Sequence, residues 1–306
     1  MKRIYFILLV LAFCRAEIYS QTPKQLLAAG DSFYFNQNWK AAAAEYEKAF
    51  AGGEPPTALY ASRLGFSYLN LRNYDAAIKN LELSLQKHPA AFAYPAIYSR
   101  LAKAYAGTGN KQQAFEKLDS AEARGYINFP ELDSSREFDK YRNDDTFKIL
   151  YEKAYQGAFP CMINPHQREF DFWIGEWDVY QTGSNQLVGR SVIQLGSGGC
   201  FILENWTAIG LPNTGKSMNF VDPATNKWKQ VWVGSGGTVT EYVNGVFKDS
   251  VMQFESTMQT PQGAAQVRFR FFNQGPDQVR QFQEFSNDEG KTWKVAYDLT
   301  YIRRKK

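Results

Sequence analysis

The chain has little of what reactive sites are usually built from. It has 306 residues but only three cysteines and two histidines. Two histidines, His88 and His166, are too few for a His-rich metal centre, so no metal is expected. Neither sign of charge dominates, with 35 Lys plus Arg against 31 Asp plus Glu. Without residues 1–20, which carry Lys2, Arg3, Arg15 and Glu17, the balance is 32 against 30. That near-neutrality leaves no basic footprint for nucleic acid. The apolar run Ile4–Phe13 has ten residues, about half of what a spanning helix needs, and no other stretch could span a membrane. No nucleophile elbow, phosphate loop, zinc-ligand spacing or Ser, His, Asp constellation occurs.

What is present is ordinary in bulk and unusual in distribution. The apolar share of 44% and charged share of 22% suit a folded globular chain, and the length suits two or three domains. Aromatics make up 16%, and six of the seven tryptophans lie beyond residue 170.

Residues 1–20 read as a signal peptide: Lys2 and Arg3, the apolar run, then Ile18-Tyr19-Ser20 as a cleavage site before Gln21. The expected product is exported, periplasmic or secreted, and bacterial in type. Cys14 follows Leu11-Ala12-Phe13, which resembles a lipoprotein cleavage box, but Phe13 stands where a small residue is wanted. Lipid anchoring through Cys14 is therefore the alternative to a soluble product. If Cys14 leaves with the signal peptide, Cys161 and Cys200 remain, an even number for an oxidising compartment, and a disulfide between them is expected. The alternative is two independent buried thiols.

Residues 21–157 read as one all-α domain. Three stretches superimpose, from Ala29, Leu64 and Leu101, with small residues Gly30, Gly65 and Ala102 at spacings of 35 and 37. Each is followed three residues on by an aromatic (Phe33, Tyr68, Tyr105) and twelve on by alanine (Ala42, Ala77, Ala114). Two amphipathic helices per unit fit, the small residues allowing close approach and the aromatics filling the space between. After the third unit comes an irregular link and then a helix, with Phe138, Tyr141, Phe147, Leu150 and Tyr151 as a core-facing stripe that caps the array.

These units resemble the tetratricopeptide repeat, including the proline after the second helix, supplied by Pro89. The resemblance implies a solenoid whose first helices line a concave groove for an extended peptide or a partner helix. The groove positions it implies are Leu27, Asp31, Tyr34 and Phe35, then Ser62, Phe66 and Asn70, then Ser99 and Lys103. Asp31 and Phe66 stand where members that bind chaperone tails carry asparagine, so that carboxylate clamp is not expected. The competing reading is a spacer that supports its neighbour.

Residues 158–306 change to alternating apolar and polar residues with regular turn signals. Ten strands are predicted: 175–181, 186–195, 201–209, 216–221, 227–234, 238–243, 250–258, 265–273, 278–286 and 292–303. Turn chemistry marks the joints, among them Asp222 to Asn226 and Asn244-Gly245. Ten short antiparallel strands without an intervening helix suggest an up-and-down barrel, because closure removes exposed edges. The overall fold class is α+β in two separate domains.

Gly175-Glu176-Trp177 resembles the G-x-W of the first strand of lipocalins and fatty-acid-binding proteins. In lipocalins an arginine near the chain end stacks over that tryptophan, and Arg303 and Arg304 stand in that region, so Trp177 and Arg303 are expected to close the barrel. Phe170 to Tyr180 (FDFWIGEWDVY), with GGCFILENW, NFVDPATNKWKQVWV and SNDEGKTW, resembles a bacterial lipocalin-like domain of unknown function. That resemblance implies the fold and no activity.

Strand parity places Glu204 with Trp206, Ser217 with Asn219, Trp228 with Gln230 and Trp232, and Gln281 with Gln283. If these faces point inward, Glu204, Trp206, Asn219, Gln230, Trp232 and Gln281 line a lumen suited to a small amphipathic ligand. The competing reading is a filled core in which Glu204 pairs with Arg268 or Arg280, giving a pure interaction or structural protein. A hydrolase or isomerase would need a carboxylate pair, and Glu204 with Asp178 is the candidate. His166 precedes the first strand and His88 sits in a repeat loop, so no histidine is placed to hold haem, and no cofactor is expected. Asn205-Trp206-Thr207 matches a glycosylation sequon but lies within a strand. The single S-x-D-x-G-x-T-W at Ser286 reads as a hairpin turn.

Overall fold

Helix signals and strand signals occupy separate halves of the chain, and so do the elements they form. The computed structural model describes residues 21–126, 128–261 and 263–305. The signal-peptide and Cys14 readings lie outside the described residues. The chain divides into two compact units between Lys153 and Ala154, a turn before the change of texture at residue 157.

The first unit is built from helix hairpins. Its helices are α1 (Pro23–Phe35), α2 (Trp39–Ala51), α3 (Ala58–Asn70), α4 (Tyr74–Gln86), α5 (Tyr94–Thr108) and α6 (Lys111–Glu122). α1 starts on a capping box: the Gln25 N–H donates to the Thr22 hydroxyl, and the Gln25 side chain accepts from the Thr22 N–H. The second helix of each hairpin starts on a one-way cap, with Asn38, Asn73 or Asn110 accepting from a first-turn N–H. These caps recur at the spacings of 35 and 37 that the small residues show. Consecutive helices pack together, and Ala42, Ala77 and Ala114 are fully buried. A Cβ on Gly30 would lie 2.7 Å from the Tyr46 ring, and one on Gly65 2.7 Å from Leu81, so the close approach needs both glycines. The repeated aromatics are not equivalent. Tyr68 and Tyr105 turn their hydroxyls to Glu47 and Glu82, whereas Phe33 is 37% exposed instead of filling the space between helices.

Beyond α6 the expected link and helix become α7 (Phe129–Ser134), a 3-10 turn Arg136–Tyr141 and α8 (Asp145–Ala158). Phe138, Phe147 and Leu150 are buried there, with Phe138 and Phe147 stacked at 5.4 Å.

The second unit begins with α9 (Pro160–Ile163), α10 (Pro165–Arg168) and a 3-10 turn Asp171–Trp173. Ten strands follow: β1 (Gly175–Gln181), β2 (Leu187–Gly196), β3 (Phe201–Ala208), β4 (Thr214–Asp222), β5 (Lys227–Gly234), β6 (Val239–Lys248), β7 (Val251–Thr260), β8 (Gly263–Asn273), β9 (Gln278–Ser286) and β10 (Lys294–Arg303). Each pairs antiparallel with its sequence neighbours, and β1 pairs with β10, so the barrel is closed. The disulfide joins Cys161 and Cys200, with Cα atoms 5.0 Å apart, and ties the lead-in segment to the start of β3.

One end of the barrel is plugged. Phe170 and Trp173 from the lead-in segment are fully buried and pack with Trp177, Trp228, Phe254 and Phe271. Trp177 donates its indole N–H to the Trp173 carbonyl at 2.9 Å, and the Arg303 guanidinium lies 4.3 Å from the Trp177 ring centre. Arg303 also donates to the carbonyls of Ile174 and Pro276. Gly175 has φ of 147°, and a Cβ there would sit 2.1 Å from the Arg303 guanidinium, so glycine is what lets the arginine cross the strand.

Seven strands differ from expectation at one end or both, and two of these shifts have a local cause. Asn244-Gly245 is not a hairpin turn: it lies within β6, where the register to β7 shifts between Val243 and Val246 and Asn244 has φ of 54°. A bulge absorbs the same left-handed residue that a turn would use. The turn falls instead at Asp249-Ser250, both with positive φ. β10 starts at Lys294, not Thr292, because Thr292 is held in the preceding loop by its N–H and hydroxyl, both donating to Asp288. These bonds also hold the Asp288 carboxyl down to about 2.

Candidate functional site

Strand alternation decides what the barrel encloses. On β3, Glu204 and Trp206 face inward; on β5, Gln230 and Trp232; on β9, Gln281; on β10, Tyr297, Leu299 and Tyr301. Towards the end opposite the plug these side chains surround a cavity of about 600 Å³. Trp206, Trp232, Tyr242, Phe269, Tyr297 and Tyr301 supply its aromatic wall, and Leu211, Asn213 and Thr238 lie on the loops and strand ends at its mouth. The indoles need room made by glycine on neighbouring strands. A Cβ on Gly189 would come 2.2 Å from Trp206, and one on Gly215 2.2 Å from Trp232.

Glu204 is the one acidic side chain in this lining, and none of the lining residues is Lys, Arg or His. It is 3% exposed. The Ser191 hydroxyl donates to its Oε1 at 2.8 Å and the Ser217 hydroxyl to its Oε2 at 2.9 Å. Tyr301 OH lies 3.5 Å from Oε1 and 3.1 Å from the Gln281 carbonyl oxygen, so its single proton serves one of two acceptors. Behind this group Gln230 donates to Asn219 at 2.6 Å, and Asn219 donates to Ser217 and to the Ile202 carbonyl. Burial pushes the Glu204 carboxyl up to about 7, against the hydrogen bonds from Ser191, Ser217 and Tyr301. The Tyr242 hydroxyl is pushed up to about 12, and Tyr297 and Tyr301 well above the usual phenol range, all chiefly by burial.

Of the six lumen residues expected from the sequence, Glu204, Trp206, Gln230, Trp232 and Gln281 line the cavity. Asn219 does not: it is fully buried among hydrogen bonds behind the wall. The alternative pairing of Glu204 with Arg268 or Arg280 is not formed. Arg268 lies over Trp293 at 3.8 Å, and Arg280 makes a two-pronged contact with Asp298. Asp178 does not join Glu204 either. It alternates with the buried Trp177 and Val179, and it accepts from Arg190 at 3.0 Å. His166 sits at 2.8 Å from Glu169 in the lead-in segment. The three tyrosines and the serine pair around Glu204 were missed as site residues, although the parity that selects Gln281 also selects Tyr297 and Tyr301 once their strands are set side by side.

Beside the cavity the β6 to β7 ladder stops at Val243 opposite Glu255. The strand ends beyond it flank a cleft of about 960 Å³ lined by Glu241, Met258, Arg268 and Trp293 among others.

In the helical unit four of the nine groove positions gather. Tyr34 meets Phe35 at 5.6 Å and Phe66 at 6.0 Å, and Asp31 accepts from Tyr46 OH at 2.7 Å and Arg63 at 2.5 Å. Phe35 is 69% exposed. Trp39, Arg63 and Arg100 join this cluster without having been singled out: Trp39 packs edge-on to Tyr34 and Phe66, and Arg100 covers Phe66 at 3.9 Å. Asn70 instead bonds the Phe66 carbonyl of its own helix, and Lys103 lies 3.9 Å from Glu137. Leu27, Ser62 and Ser99 are buried.

Fold and site together define a unit of helix hairpins followed by a closed ten-stranded antiparallel barrel with an internal aromatic cavity. No protein-family model and no curated protein matches the chain. Among the described residues no helix is long and apolar enough to cross a membrane, and no cluster of His, Cys, Asp or Glu could hold a metal ion.

Proposed function

We propose that this is an exported protein in which a tetratricopeptide-type module for protein or peptide partners is joined to a lipocalin-like barrel that binds a small, partly apolar ligand. The observation that carries the ligand reading is the cavity of about 600 Å³ walled by Trp206, Trp232, Tyr242 and Phe269, with Glu204, Gln230 and Gln281 as its polar groups. Ligand pockets occupy about 300 to 1,000 Å³ and combine apolar walls with a few placed polar groups. Stacking on the indoles would supply affinity, and the amides and carboxyl would orient the bound molecule. The partner reading rests on the sequence resemblance and on the exposed Phe35 beside Tyr34 and Phe66. The disulfide suits export, since such bridges persist in oxidising compartments.

The test uses the neutral fluorophore N-phenyl-1-naphthylamine, whose emission rises in apolar surroundings. Saturable binding is expected, and Trp232→Ala should weaken it by about 2 to 4 kcal/mol if the indole is an anchor. Failure of the probe to bind, or binding indifferent to Trp232→Ala and Trp206→Ala together, would overturn the cavity as the binding site.

A further inference from the structure

The charge balance of the lumen narrows the ligand class. A carboxylate offers about four acceptor positions; Ser191 and Ser217 each fill one on Glu204, and Tyr301 OH, 3.5 Å from Oε1, shares its one proton between Glu204 and Gln281. All three donors are neutral hydroxyls. An ionised carboxyl in a buried site normally has a cationic partner, because hydrogen bonds alone do not replace its lost hydration. None is supplied here: the lining holds no Lys, Arg or His. The nearby arginines of β8 and β9 are occupied on acidic partners or rings of their own, Arg270 with Glu284 and Arg280 with Asp298. The cavity that Glu204 lines is walled by aromatic rings, whose faces attract cations. Trp206 is two residues along β3 from Glu204 on the same face, and Trp232 lies opposite Ser217, which lies opposite Glu204 in the ladder. Tyr301 has its hydroxyl 3.5 Å from the carboxyl and its ring 6.5 Å from that of Trp206.

Resting on the ligand-binding reading above, we propose that the barrel selects organic cations, a protonated amine or quaternary ammonium carried on an apolar body, with the positive charge seated between the Glu204 carboxylate and the indoles of Trp206 and Trp232. The free energy that burial takes from the empty carboxylate is returned when such a ligand supplies the counter-charge.

Benzyltrimethylammonium and neopentylbenzene have nearly the same shape and differ in charge, so their competition against the neutral naphthylamine probe isolates the electrostatic contribution. At pH 8.5 the cation should bind at least ten-fold more tightly than its neutral counterpart. That preference should shrink as pH falls below about 7, where the carboxyl takes up a proton. The other titratable groups facing Glu204 are Tyr242 from β6 and Tyr297 and Tyr301 from β10, all raised above the usual phenol range and so neutral across this interval. Glu204→Gln should bring the two affinities within about three-fold while still binding the probe. The pH series on the unaltered protein gives the same answer if that variant does not fold. Equal affinity of the two compounds at pH 8.5, or a preference that survives either acidification or Glu204→Gln, overturns the proposal. Probe binding without charge discrimination overturns this inference alone, whereas absence of probe binding removes the cavity reading beneath it.

Discussion

Each unit of the chain holds a carboxyl that burial pushes up to about 7, and the two are compensated differently. In the helical unit Glu122, with 3% of its side chain exposed, has the Lys153 ammonium at 3.4 Å. In the barrel Glu204 has serine and tyrosine hydroxyls and no cation. The first has a counter-charge within the chain: Lys153 of α8 faces both Asp119 and Glu122 of α6, at 2.9 and 3.4 Å, and joins the two helices. The second is incomplete in charge, and it faces a cavity. A raised carboxyl is therefore not in itself the mark of a site. What separates the two is whether the fold brings its own counter-charge.

The largest effect that would sharpen this contrast comes from covalent restraint. The bridge closes a loop across 39 residues of sequence, and Cys161→Ser with Cys200→Ser should cost the barrel roughly 4 kcal/mol in the chain-entropy account. Six of the seven tryptophans are in the barrel, so its melt is followed by indole fluorescence, while far-ultraviolet circular dichroism follows the helices. A shared fall in both signals would show that the units do not unfold separately.

Next in size is the pH dependence of the barrel. The Glu204 carboxyl titrates at about 7 when folded and near 4.3 when unfolded. Between those values the folded state holds a proton that the unfolded chain has released. The stabilisation is therefore complete below about pH 4 and is lost as pH rises through about 7, by roughly 3 to 4 kcal/mol over the whole interval. Denaturant melts of the empty protein from pH 5 to 8.5 should show this loss, and Glu204→Gln should flatten it. A profile unchanged by the substitution would place the titration elsewhere, Glu122 being the first group to test.

A smaller effect is expected at the plug. Arg303→Met keeps the length of the side chain but removes the charge over Trp177 and the bonds to the Ile174 and Pro276 carbonyls. It should lower barrel stability by about 1 to 2 kcal/mol, mostly from the cation over the indole. The change should leave probe affinity alone, because Arg303 does not line the cavity. The smallest effect belongs to the helical unit: Phe35→Ala should change stability by less than about 0.5 kcal/mol, because the ring is 69% exposed. If it abolishes capture of a partner while the melt stays in place, the exposed ring belongs to a binding surface. A large drop in melting temperature would make it core.

Much of this architecture was legible because its signals are local. The period-2 alternation and turn residues located ten strands, three of them with both ends as observed: β1, β5 and β9. The spacing of Gly30, Gly65 and Ala102 located three helix hairpins, and the asparagine caps repeat the same register. Local signals are ambiguous at other positions. Asn244-Gly245 satisfies a turn and a bulge equally well, and only pairing with β7 chooses between them. Phe33 has the position of an interhelical aromatic, yet it is 37% exposed.

The same division runs through the site. By itself the sequence determined which side chains share a strand face, because alternation is a property of each strand alone: Glu204 with Trp206, Gln230 with Trp232. It also determined that only one pair of cysteines lay beyond residue 20. Barrel closure decided the rest. It set Ser191, Ser217 and Tyr301 from three strands around one carboxyl, moved Asn219 behind the wall and turned Asp178, Arg268 and Arg280 outward. The physical reason is that a strand's own period says which residues travel together, whereas register and closure across ten strands say which of those faces meet, and that depends on pairings between residues as far apart as Trp177 and Arg303.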